Sequence, residues 1–105
     1  MRLLRDFRGL EIRLTDERLE HILEHPEMVG REEGAIEETL RSPERVVESL
    51  FAPKAWLYYR FYQATEVGPK HLCVVVKISQ DDAFVVTAYL TDSVKRGWSL
   101  WPETE

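Results

Sequence analysis

His71-Leu-Cys-Val-Val-Val-Lys-Ile-Ser-Gln-Asp-Asp-Ala-Phe-Val-Val-Thr-Ala-Tyr-Leu-Thr-Asp92 is the stretch that decides the fold. It reads as two strands joined by a tight polar turn. Side chains alternate across a strand, so Leu72, Val74, Val76 and Ile78 share one face of the first strand. Phe84, Val86, Ala88 and Leu90 share one face of the second. Both sets are expected to point into a single core. The opposite face carries His71, Cys73, Val75 and Lys77, then Val85, Thr87, Tyr89 and Thr91. That face is half apolar and half chemically capable.

Working outward, Trp56-Leu-Tyr-Tyr-Arg-Phe-Tyr-Gln63 has the aromatic density of a further strand. Leu57, Tyr59 and Phe61 fall on one side of it, and Trp56, Tyr58, Arg60 and Tyr62 on the other. Arg45 to Phe51 reads as a strand whose period is blurred by Val46-Val47, and Pro53 ends it. The alternation in Leu10-Glu-Ile-Arg-Leu14 predicts a short first strand. Residues 1–9 are either an extension of that strand or a loose arm.

Thr15 then has the features of a helix N-cap, with Asp16 and Glu17 in the first turn. Leu19, Ile22 and Leu23 form an apolar stripe, and His25-Pro26 stops the helix near Glu24. A second helix is expected over 32–41, with Ile36 and Leu40 inward, ended by Ser42-Pro43. Past Asp92, Gly97 to Trp101 is a short last segment and residues 102–105 a tail. Helices followed by a run of strands indicate an α+β domain. The expectation is two N-terminal helices on one face of a four-stranded antiparallel sheet, with the other face open.

The 105 residues make one domain, long enough to bury a core. No apolar run approaches membrane-spanning length and no signal-peptide pattern is visible, so no membrane partner is expected. The single cysteine rules out an internal disulfide and points to a reducing, cytoplasmic setting. The net charge of −5 argues against broad affinity for phosphates. It belongs wholly to residues 1–50, which hold 8 Arg and 13 acids; residues 51–105 hold 6 Lys and Arg against 6 acids. The strand half is therefore neutral and can still present a cationic patch.

In a meander, Arg60, Lys77, Thr87 and Tyr89 are expected on the open face, joined by Tyr58, Tyr62, His71 and Thr91. Guanidinium, ammonium and hydroxyl groups are the kit for gripping a phosphodiester, and aromatic rings can stack on bases. A solvated sheet surface uses the same residue types for strand propensity alone. His21 and His25 sit at i, i+4, but the order is not His-Glu-x-x-His and no third ligand is evident, so no metal or other cofactor is expected. His21 is a candidate acid–base group, and otherwise a half-buried neighbour of the apolar stripe.

Several strings taken together resemble a known family. They are Leu14 through Met28, Ile36-Glu-Glu-Thr-Leu40 with Pro43, Leu57-Tyr-Tyr-Arg60, Lys70 through Lys77, and Phe84 through Asp92 with Lys95 and Gly97. Over about residues 10–101 the chain resembles the phage-associated branch of the barnase–EndoU–colicin–RelE-like nuclease superfamily. The resemblance implies a RelE-like sheet and metal-independent RNA cleavage on its exposed face. It further implies toxin activity and a cognate inhibitor protein. By position, it implies His21 as general base and Arg60 and Lys77 as phosphate ligands. Thr87 and Tyr89 would supply hydroxyls, and Lys95 a further cation. By strand alternation, and not by the resemblance, Tyr58, Tyr62 and His71 are expected to line the substrate beside them. The competing expectation is a catalytically silent interaction domain that docks a protein through Trp56, Tyr58 and Tyr62.

Overall fold

The three strands of the aromatic and hairpin stretches form the centre of a larger sheet. A computed structural model of the chain describes residues 1–30 and 32–103, with Glu32 and Glu33 described by backbone only. Its strands are β1 (Arg2–Arg5), β2 (Glu11–Leu14), β3 (Arg45–Ser49), β4 (Ala55–Tyr62), β5 (Lys70–Ile78), β6 (Ala83–Thr91) and β7 (Gly97–Trp101). Helices α1 (Asp16–Ile22) and α2 (Glu32–Arg41) lie between β2 and β3, with a 3-10 turn at Pro26–Met28. The sheet runs β1-β2-β6-β5-β4-β3-β7. The expected four-stranded antiparallel, RelE-like sheet is thereby corrected: the described residues form seven strands, and β2 pairs with β6 in parallel. The helices are also not N-terminal, because a β1–β2 hairpin precedes them.

The extra strands have local causes. Residues 1–9 are not a loose arm. Asp6 is buried and its Oδ1 accepts the amides of Arg8 and Leu10, both at 2.9 Å, which closes the β1–β2 turn. Gly9 takes the left-handed conformation that this turn requires. At the other edge, β7 pairs with β3, and a Cβ on Gly97 would collide with the Glu48 carbonyl. Arg13, in β2, holds Asp82 at the foot of β6 through two bonds of 2.9 and 2.6 Å, which fixes the one parallel junction.

The helices form by the predicted signals, although α1 stops at Ile22, short of Glu24. Thr15 Oγ1 accepts the Arg18 amide at 3.2 Å, as an N-cap should. Ile22, Met28, Ile36 and Leu40 descend from the helical layer onto Ile12, Val46, Tyr58, Leu72, Val74 and Val76. Leu72, Val74 and Val76 point inward as expected. Of the second set only Ala88 and Leu90 do, because Ala83 and Val85 replace Phe84 and Val86. The register explains this. Val75 lies opposite Thr87 while Val76 lies opposite Val85, so Val86 is an extra residue that switches the parity of β6.

Candidate functional site

Residues directly opposite in an antiparallel pair point to the same face. Arg60 lies opposite Leu72, and Tyr58 opposite Val74. Both therefore face the helices, as does Tyr62. Arg60 donates from Nη1 to the Ser42 carbonyl at 2.7 Å and lies 3.6 Å from Glu38 of α2. Tyr62 donates to Glu38 Oε1 at 2.6 Å, and burial pushes its phenol up to about 12. Tyr58 is fully buried and donates to Asp6. Trp56 packs in the same core. The expectation of an open-face Arg60, Tyr58 and Tyr62 is thus corrected: the strand's parity was right and its sides were reversed.

His21 belongs to the helical layer too. Its ring lies edge-on to His25 at 6.3 Å and its Nδ1 is 3.9 Å from Glu24. Lys77 is on the far side of the sheet. A step needing His21, Arg60 and Lys77 at one phosphate has no place in this fold. Among the described residues no three His, Cys, Asp or Glu side chains gather to hold a metal ion. No helix among them is long and apolar enough to cross a membrane.

The other predicted residues do share the open face. His71, Cys73, Val75 and Lys77 point to it from β5. They sit opposite Phe61, Tyr59, Leu57 and Ala55 of β4 on one side, and opposite Thr91, Tyr89, Thr87 and Phe84 of β6 on the other. This face has a small core of its own, made of Val47, Leu57, Tyr59 and Cys73 under Val75, Tyr89 and Val94. Segment 92–96 folds onto it, and the Lys95 amide donates to Tyr59 Oη at 3.1 Å.

Cys73 lies fully buried between Tyr59 and Tyr89. Burial pushes its thiol up to about 11, against the pull of hydrogen bonds from both tyrosines and of the Lys95 ammonium. It is a packed hydrophobe, not a nucleophile. Burial also raises the phenols of Tyr59 and Tyr89, so both hydroxyls keep their protons at neutral pH. His71 is not a simple surface residue. Its ring packs edge-on against Phe61 at 5.2 Å, and its Nδ1 is buried without a partner.

Spacing along the strands divides this set. His71 and Lys77 are six residues apart on β5, roughly 20 Å at strand rise. Tyr89, opposite Cys73, is roughly 13 Å from Lys77 by the same measure. His71 and Tyr89 are diagonal neighbours, roughly 7–8 Å apart. The face thus brings Tyr89 close to His71 on one side and to Lys95 on the other, with Thr87 beside it, and holds a separate cation at Lys77.

Between these lies a depression of about 560 Å³ floored by Leu57, Val75 and Tyr89. Lys95 and Arg96 stand on one wall and the 49–52 loop, carrying Leu50 and Phe51, on the other. Sequence reading missed this wall, because 45–51 reads as one continuous strand. The signal available was Phe51 beside the breaker Pro53: an aromatic residue at the point where the chain must turn. Tyr59 was also missed as a site residue, since alternation had assigned it to the interior.

No family model, curated protein or solved structure matches this chain.

Proposed function

We propose that this domain is a metal-independent ribonuclease that takes RNA on the open sheet face. One observation carries the reading: Tyr89, Lys95 and Arg96 line the apolar depression, and Lys77 and Thr87 lie opposite two more of its lining residues, Ala55 and Val75, on the same face. Nearly half of the acids lie in the helical segment. Residues 16–41 hold nine Asp and Glu against three Arg, a net of −6, which leaves the rest of the chain at +1.

His71, Tyr89 and Lys95 take the chemistry. His71 accepts the 2′-hydroxyl proton as that oxygen bonds to phosphorus. The Lys95 ammonium neutralises the charge that builds on the phosphorane. Tyr89, whose phenol stays protonated, gives its proton to the departing 5′-oxygen as the P–O bond breaks, leaving a cyclic phosphate. Lys77 holds a phosphate further along the strand. A reducing, cytoplasmic setting goes with a single buried thiol, and an inhibitor protein would act by covering this face.

The test is cleavage of single-stranded RNA by the purified chain in EDTA. Tyr89→Phe and His71→Ala are each expected to slow turnover about 100-fold or more, the range for lost acid–base groups. Arg60→Ala is expected to leave it within a few-fold. No cleavage by the unaltered chain overturns the proposal. A protein-docking role is the second reading, favoured by Phe51 and Leu50, which are 94% and 49% exposed beside the depression.

A further inference from the structure

We infer that the depression between the 49–52 loop and Lys95-Arg96 is a base-binding subsite for single-stranded RNA, with Phe51 as its stacking lip. The inference rests on the RNA reading above and assigns a substrate feature to it. A nucleotide is an apolar planar base flanked by phosphates. The depression has the matching order. Leu57, Val75 and Tyr89 make an apolar floor, and among the described residues no Asp or Glu lines it. Lys95 and Arg96 line it, and Lys77 lies on the neighbouring strand opposite Ala55, another lining residue.

Phe51 is held out in the open and is not the tip of a loose loop. Ser49 Oγ accepts the amides of Phe51 and Ala52, both at 3.1 Å. Glu48 accepts the Lys54 amide at 2.9 Å, and Lys77 Nζ donates to the Pro53 carbonyl at 3.0 Å. Lys54 takes the left-handed backbone conformation that closes the turn. Keeping a phenylalanine 94% exposed on a tied loop leaves its apolar surface in water until something covers it.

The floor favours a base over a peptide as occupant. Its Leu57 and Val75 belong to β4 and β5, whose backbones are paired on both sides there, while β6 pairs with β5 and meets β2 only at Phe84. At Leu57 and Val75 the floor offers no free backbone ladder to an extended chain. A base needs none, because stacking uses its π face.

The experiment is titration of the full chain with a short oligouridylate carrying one 2-aminopurine, beside the same strand with that base removed. Binding is expected to quench the 2-aminopurine. Phe51→Ala is expected to weaken the intact strand on the order of ten-fold and the abasic strand hardly at all. Phe51 is so exposed that this variant should fold, and an unchanged melting curve checks it. If RNA binds and depends on Lys95, but Phe51→Ala and the abasic strand bind like the originals, the subsite is wrong and the RNA reading stands. If no RNA binds, both fall. An acidic peptide that binds in a Phe51-dependent way where RNA does not makes this a protein-docking site and overturns the inference.

Discussion

Tyr58 donates its hydroxyl to Asp6 Oδ2 at 2.7 Å, with both groups out of water. Burial first, and then the neighbouring carboxylate, raises the phenol above its ordinary range. It therefore keeps its proton across neutral pH and remains a donor. Asp6 also carries the β1–β2 turn, so this one bond links the hairpin to β4. Tyr58→Phe keeps the ring and removes only the donor. The expected cost is about 2 kcal/mol, the range for a hydrogen bond to a charged group. That should lower the melting temperature by roughly 10 °C for a domain of this size. An unchanged melting curve would mean that water replaces the hydroxyl. Nothing in the sequence foretold the pair, because Asp6 and Tyr58 are 52 positions apart and only the sheet order brings them together. Arg60 and Tyr62 teach the same lesson. Their residue types fitted an open surface, yet Glu38 of α2 and the Ser42 carbonyl just past its end were waiting for them.

Local pattern gave the strands and helices their places, and failed where an element's relation to its neighbour was at stake. Alternation in β4 separated Leu57, Tyr59 and Phe61 correctly from Trp56, Tyr58, Arg60 and Tyr62. It could not say which set faces the helices, because both sets are aromatic and both faces of this sheet are partly covered. Alternation in β6 failed at Val86, where one unpaired residue flips the parity. The edge strands β1 and β7 are four and five residues long, so local pattern left residues 1–9 open between strand and arm and marked Gly97 to Trp101 only as a short segment. The parallel β2–β6 junction, which no local pattern signals, gives a prediction at this scale. The Arg13 guanidinium holds the Asp82 carboxyl below the usual carboxylate range. A depressed carboxylate contributes stability above its unfolded pKa, near 3.9, and loses it as pH falls through the folded value. Asp82→Asn should therefore be less stable than the parent at pH 7, and the gap should close toward pH 2. Both side chains are about a third exposed, so the gap should also shrink with added salt. Urea melts across that pH range test it, and a gap independent of pH would exclude the pair as its cause.

At the scale of the whole molecule the charges are sorted by layer. The segment carrying the helices has a net charge of −6, while Lys77 of β5 and the Lys95-Arg96 pair after β6 lie on the open face of the sheet. A net charge of −5 argued against a polyanion partner only if charge is averaged over the surface, and here it is not. The separation sets a ceiling on affinity. A single strand that displaces counterions at three cations should bind with a log–log salt slope of about −2, since each contact contributes about −0.7. Between about 50 and 200 mM salt the affinity should then fall roughly 20-fold, far less than for a basic nucleic-acid protein. Lys95→Glu with Arg96→Glu should bring the slope near −0.7, leaving Lys77 alone. Arg18→Glu, on the helical layer, should leave the slope as it is, although it changes net charge by the same amount per residue. Fluorescence anisotropy of a labelled oligonucleotide across that salt range separates the two cases. Equal slopes for the sheet and helix variants would mean that RNA senses only the total charge, and that the open face is not where it binds.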